Sequence, residues 1–186
     1  MSQKIIIGCL LSSFITISTH SYAVNHTVSL GYSQGNIKDF KSIRGINAQY
    51  RYEWDKPVSI IGAFTYMKGE ERYSFQDVFS EYNGKADLKY YSLLAGPAYR
   101  ISEYISLYAL VGLAHTKLEH HMYNSTDLAR HSETYQGNMT SVAYGAGIAI
   151  NPIENISINI GYEGTHIKYH DSVSINGFNI GMGYRF

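Results

Sequence analysis

The chain has 186 residues, with 15 Lys+Arg against 15 Asp+Glu, one Cys, three Pro, 17 Gly and 18 Tyr. Zero formal net charge and 16% charged residues argue against a nucleic-acid binder, which needs a basic face, and against a disordered chain, which carries more charge and fewer aromatics. A single cysteine excludes a disulfide scaffold or a cysteine-built zinc site, and the length fits one domain.

The first element is an export signal. Lys4 precedes the apolar run Ile5 to Ile17, and Ser21-Tyr22-Ala23 supplies a small-x-small cleavage site. The run is too short for a membrane span, which needs about 20 apolar residues, so residues 1–23 are predicted to be removed. Cys9 raises the alternative of a lipoprotein signal, but the apolar run continues past it through Leu10, Leu11, Phe14 and Ile15. An exported mature chain without cysteine draws no stability from disulfides.

Beyond Ala23 the dominant signal is period-two alternation, which places one face of each strand in an apolar surrounding. Val28, Leu30 and Tyr32 alternate with Ser29, Gly31 and Ser33; Ile46, Ala48, Tyr50, Tyr52 and Trp54 with Asn47, Gln49, Arg51 and Glu53. Residues 58–67 and 105–117 are also strands, but both of their faces are partly apolar and their facing stays open. Tyr91, Leu93, Ala95, Pro97 and Tyr99 oppose Ser92, Gly96, Ala98 and Arg100. Val142, Tyr144, Ala146, Ile148 and Ile150 alternate with small residues, and Ile156, Ile158, Ile160 and Tyr162 with Ser157, Asn159, Gly161 and Glu163. The last strand sets Phe178, Ile180, Met182, Tyr184 and Phe186 against Asn179, Gly181, Gly183 and Arg185.

Short turns near Pro57, Ser102 and Pro152 alternate with longer polar segments at about 34–43, 68–87, 118–139 and 168–174. That order predicts an all-β, eight-stranded antiparallel up-and-down barrel with its long connections at one end. Apolar residues turned inward would leave Gly, Ser, Ala and Asn to keep the outside soluble. Turned outward, they meet lipid, and no Asp, Glu, Lys or Arg falls on the apolar face of the six clear strands. The expectation is therefore a transmembrane barrel, whose closure satisfies every backbone donor in a solvent that offers none. Tyr50, Tyr52, Trp54, Tyr99, Tyr104, Tyr184 and Phe186 read as an aromatic girdle at the short-turn side.

Several segments then carry a resemblance: Gln49-Tyr-Arg-Tyr-Glu53, Ile61-Gly-Ala-Phe-Thr-Tyr66, Ala95-Gly-Pro-Ala-Tyr-Arg-Ile101, Tyr144-Gly-Ala-Gly-Ile148, Asn151-Pro-Ile-Glu-Asn155 and terminal Gly183-Tyr-Arg-Phe186. They resemble the Ail/OmpX family of small enterobacterial outer-membrane proteins over essentially the whole mature chain, except in the long loops. The resemblance implies a monomeric barrel in the Gram-negative outer membrane, short turns in the periplasm, and Phe186 as a signal for the outer-membrane assembly machinery. It also implies adhesion, invasion, serum resistance or other virulence roles, with host extracellular-matrix or complement-regulator proteins as partners beside the lipid bilayer and lipopolysaccharide. A barrel that only supports envelope integrity or stress tolerance is the alternative.

The candidate ligand-binding residues lie in the loops: Lys68, Arg72, Tyr73, Phe75, Phe79, Tyr82 and Tyr123, aromatics among charges as in protein-binding surfaces. Extended strands with aromatics stacked across a hairpin are an equal reading of the segment 68–87. Loop charges balance as a set, so attraction to polyanions is not indicated for the loops as a whole, although a local basic cluster stays open. His115, His120, His121 and His131 could serve a metal, but adjacent His120 and His121 point to opposite faces of a strand. Ser125, Ser132, His131 and Asp127 are the residue types of hydrolysis without a motif to fix their geometry. The expectation is no enzyme, no cofactor and no metal. Inside the barrel, Arg51, Glu53, Arg100, Glu163 and Arg185 are expected to form one salt-bridged plug, since eight strands enclose little beyond their own side chains.

Overall fold

A computed structural model describes residues 24–37, 40–77, 80–126, 129–168 and 172–186. The export signal expected at 1–23 lies outside them. Eight strands follow in chain order: β1 Asn25–Ile37, β2 Phe40–Glu53, β3 Val58–Asp77, β4 Ser80–Arg100, β5 Ile105–Thr126, β6 Ala129–Ile153, β7 Ile156–Lys168 and β8 Ser172–Arg185. Each pairs antiparallel with its sequence neighbour, and β8 returns to β1, so the sheet is a closed barrel. At the seam the His26 amide donates to the Phe186 carbonyl at 2.8 Å, and the Phe186 amide donates to the His26 carbonyl at 2.9 Å. The last residue of the chain therefore closes the ladder.

Alternation decides the two faces as expected. Leu30, Leu93, Val111, Val142 and Met182 are each more than 60% exposed on the outside, while Ser29, Asn47, Gln49, Ser92, Ser157 and Asn159 are buried inside. An outer surface of aliphatic side chains over a polar interior is the inverse of a water-soluble barrel and matches lipid. Burial also fixes the facing that residue pattern left open. In β3, Ser59, Ile61, Ala63, Thr65 and Met67 turn inward; in β5, Ser106, Tyr108, Leu110, Ala114 and Thr116 do so.

The interior is less uniformly small and polar than patterning suggested. Ile43, Ile61, Met67, Tyr90, Leu94, Tyr108, Leu110 and Ile175 are buried and contribute to an apolar cluster within the barrel. Tyr90 and Tyr108 are thus tyrosines that mark the lumen rather than a membrane interface. Large residues fit because strands elsewhere supply glycine: a Cβ on Gly147 or Gly161 would run into the Tyr108 hydroxyl.

Aromatics outline both edges of the apolar band. At the short-turn side His26 stacks on Phe186 with ring centroids 5.7 Å apart and meets Tyr52 edge-on at 5.3 Å, while Tyr184 and Phe186 stand 6.3 Å apart. At the other side Tyr66 and Tyr91, cross-strand partners in β3 and β4, have centroids 5.0 Å apart. Rings at both boundaries put their apolar bodies in lipid and their hydroxyls toward water.

Strand lengths differ around the barrel. A tilted strand crosses a bilayer in about 9–11 residues, yet β4, β5 and β6 run to 21, 22 and 25 residues. The segments assigned by pattern to loops at 68–87 and 118–139 are mostly continuous antiparallel hairpin. β3 loses its β2 partner after the Arg44–Lys68 pair but stays paired with β4 to Asp77. β6 pairs with β5 up to Ala129, whereas its described pairing with β7 ends at Ala143. A four-stranded sheet, β3 to β6, therefore projects beyond the barrel, and among the described residues its outer edges at 69–77 and 129–142 have no partner strand.

Candidate functional site

Three side-chain constellations stand out, two in the lumen and one on the outer rim. The first forms where β2, β4 and β8 end at the short-turn side. Glu53 is 1% exposed and receives three guanidinium groups: Arg100 Nη2 at 2.7 Å and Arg51 Nη2 at 3.1 Å on Oε1, and Arg185 Nε at 3.1 Å from Oε2. The Arg185 contact is ionic but lacks hydrogen-bond alignment. Arg51 is fixed further, donating from Nε to Ser59 Oγ at 2.9 Å and from Nη2 to Ser106 Oγ at 3.0 Å. Charges this buried persist only when paired and hydrogen-bonded, so Glu53 is the keystone of the mouth.

Glu163 does not join this network. It sits midway along β7, opposite Gly145 and Gly177, whereas the other four charges lie at strand ends. Its partners are neutral: Tyr90 Oη donates to Oε1 at 2.6 Å and Thr65 Oγ1 to Oε2 at 2.8 Å, and Asn47 Nδ2 donates to Thr65 Oγ1 at 2.9 Å. The single expected plug is therefore two layers, one ionic and one hydroxyl-built, because distance along the barrel axis separates residues that share a face. Tyr90 escaped sequence reasoning. Its neighbour Tyr91 occupies the alternating apolar pattern, and nothing in the pattern marks a tyrosine as a partner for a carboxylate midway along β7.

The third constellation is a row of bases on the outside. Register places Arg44 opposite Lys68, Lys68 opposite Lys89, and Lys89 opposite Lys117, so four adjacent strands each contribute one base at one level. Directly below are Ile46, Tyr66, Tyr91 and His115, in the same cross-strand order. One step above runs an acidic row, Glu70, Asp87 and Glu119. Lys85 bridges Asp87 at 3.0 Å and Glu70 at 3.2 Å, and Lys89 reaches Glu119 at 3.4 Å. Hydrogen bonding to Asp87 and then to Glu70 holds the Lys85 ammonium above the usual lysine range. Arg44, Lys68 and Lys117 are exposed and make no ion pair among the described residues. Like charges directly across strands repel, so the row favours an incoming anion.

Of the loop residues singled out by sequence, Lys68 belongs to this row. Arg72, Tyr73, Phe75 and Tyr82 lie on the projecting β3–β4 hairpin and Tyr123 on β5, with side chains outside the described residues, as is the whole of Phe79. His115 Nδ1 lies 2.9 Å from Thr140 Oγ1; the side chains of His120, His121 and His131 are outside the described set. Among the described residues no group of three or more His, Cys, Asp or Glu forms a metal site.

Comparison with known proteins agrees with this architecture. The family described as "Outer membrane protein beta-barrel domain" matches residues 7–186. The chain is 39% identical to the virulence membrane protein PagC of Salmonella typhimurium, with 100% of both chains covered. It is 35% identical to outer membrane protein X of Escherichia coli K12, over 89% of this chain and 88% of that one. Among solved structures, the attachment invasion locus protein Ail of Yersinia pestis, in complex with the heparin analogue sucrose octasulfate, superposes with a TM-score of 0.69. Identity there is 34%, over 89% of this chain and 100% of that one. With the closed eight-strand meander, the aliphatic exterior and the charged lumen, these likenesses show that the chain belongs to the Ail/OmpX family of Gram-negative outer-membrane β-barrels, which is not a family of enzymes.

Proposed function

We propose that this protein is a surface adhesin or resistance protein whose long-hairpin end faces outward and binds polyanionic glycans of the host surface through the base of its projecting sheet. The orientation rests on strand length, since outer-membrane barrels carry short turns inward and long connections outward. The observation that carries the ligand class is the row Arg44, Lys68, Lys89 and Lys117, four bases in register on four strands. A sulfated chain presents anions at intervals along its length and meets such a row without needing a pocket. Support comes also from Ail, which is similar to this chain and was solved with a heparin analogue. The projecting β3–β6 sheet adds open edges on which an extended segment of a matrix or complement-regulator protein can add a strand.

The test is display of the barrel on a non-adherent laboratory strain, with binding to immobilised heparin and to cultured host cells measured across a salt series. Lys68→Gln with Lys117→Gln should lower both and flatten the salt dependence, because exposed charge interactions are screened over a Debye length of about 8 Å at physiological ionic strength. Unchanged heparin and cell binding in that variant would remove the row from the site. Competition by purified lipopolysaccharide distinguishes a row occupied by phosphates of its own leaflet from one open to host glycans. Serum survival at vector level, together with an envelope defect on deletion, would favour the purely structural role.

A further inference from the structure

The opposite end of the barrel lies away from the basic row and contains a half-open cleft of about 500 Å³. That volume lies within the range of about 300–1,000 Å³ typical of small-molecule sites. Arg100 and Arg185 line its inner side, and Glu103, Tyr104, Asn151 and Glu154 are among the residues around it.

Its charges are layered. Deepest is Glu53, the one carboxylate among the described residues that pairs with the three guanidiniums, which leaves an excess of positive charge at that depth. Arg51 is spent on Glu53, Ser59 and Ser106. Arg100 Nη2 and Arg185 Nε are both taken up by Glu53, at 2.7 and 3.1 Å. Both arginines line the cleft, and their remaining guanidinium nitrogens make no hydrogen bond among the described residues. Asn151 Oδ1 is also buried and accepts no hydrogen bond. Glu103 and Glu154, exposed at the rim, have no ion-pair partner among the described residues.

We infer that this mouth is a binding site for a zwitterionic amino-acid group, its carboxylate taken by Arg100 and Arg185 and its ammonium by Glu103, Glu154 and Asn151 Oδ1. A simple anion would satisfy the arginines but meet repulsion from the two rim carboxylates. A simple cation would satisfy the rim and meet the excess positive charge behind it. Only a ligand with both charges complements both layers and also supplies the donor that Asn151 Oδ1 lacks. Guanidinium recognition of carboxylate is favoured because two parallel N–H groups match two oxygens. In the orientation proposed above, on which only this last step rests, the mouth opens to the periplasm, and the ligand class becomes a free amino acid or peptide end of that compartment.

The experiment uses the folded mature barrel in micelles of a non-ionic detergent, so that no zwitterionic headgroup competes and membrane orientation is irrelevant. The probe is meso-diaminopimelic acid, which has zwitterionic ends, with its N-acetylated form and inorganic phosphate as comparisons. The readouts are calorimetric titration and the NMR signals of the Arg100 and Arg185 Nε–H groups. Diaminopimelic acid should shift both arginine signals and bind more tightly than either comparison. Glu103→Gln with Glu154→Gln, on exposed positions that do not support the barrel, should weaken it about fivefold, as for two exposed ion pairs, and tighten phosphate. Equal binding of phosphate in the wild type would overturn the inference in favour of a plain anion site. Absence of any arginine shift, or insensitivity to the double variant, would overturn it outright.

Discussion

Replacing Glu53 with Gln removes one negative charge while keeping volume and one acceptor oxygen. The wild-type carboxylate holds guanidinium nitrogens at 2.7, 3.1 and 3.1 Å and is 1% exposed. At about 4 Å between charge centres and an effective dielectric near 20, each attraction is of order 4 kcal/mol. Arginine–arginine repulsion and the lost hydration of four ions offset much of that sum. The Arg100 contact must also be discounted because its side chain is 31% exposed. What decides the outcome is that Arg51, 5% exposed, stays buried with its charge uncompensated, a situation that costs about 3–5 kcal/mol in proteins. Glu53→Gln should therefore destabilise the barrel by about 3 kcal/mol, measured by urea titration in lipid vesicles with the heat-modifiable gel shift as readout. Arg100→Gln should cost at most about 1 kcal/mol, since its charge can turn to water. A Glu53→Gln barrel as stable as wild type, or one no weaker than Arg100→Gln, would refute the keystone role.

Other outcomes follow from the same geometry. Tyr90→Phe removes a 2.6 Å hydrogen bond to the buried Glu163 carboxylate and should cost about 2 kcal/mol in the same titration, with little effect from a further Glu163→Gln in that background. Leu93→Arg puts a charge on a position 68% exposed to lipid; it should cost about 2–4 kcal/mol if near the midplane and reduce the folded fraction in membrane assembly. Gly112→Ala would drive a Cβ into the Leu93 carbonyl, whereas a Cβ on Gly137 meets nothing within 4 Å. The first should lose about 1–3 kcal/mol by overpacking and the second should leave the urea midpoint unchanged.

Fold and facing were largely legible in the sequence, and the reason is local. A barrel strand exposes one face to lipid and the other to the lumen, so each residue's identity reports its own surroundings: Leu30 and Met182 outside, Ser29 and Asn159 inside. Where both faces are apolar, at residues 58–67 and 105–117, that report fails. Ile61 and Leu110 turn inward because register with their neighbours requires it.

The candidate sites were less legible, because each is assembled across strands. Four strand-end charges, Arg51, Glu53, Arg100 and Arg185, read as luminal from alternation, but the height of Glu163 in the barrel separates it from them. The loop segments balance in charge along the chain, and only register gathers Arg44, Lys68, Lys89 and Lys117 into one row above the tyrosines. Period-two patterning thus determined which way the side chains of the clearly alternating strands point, a property of one strand at a time. Which charges meet depends on stagger between strands, and that was decided only when the backbone ladder closed at His26 and Phe186.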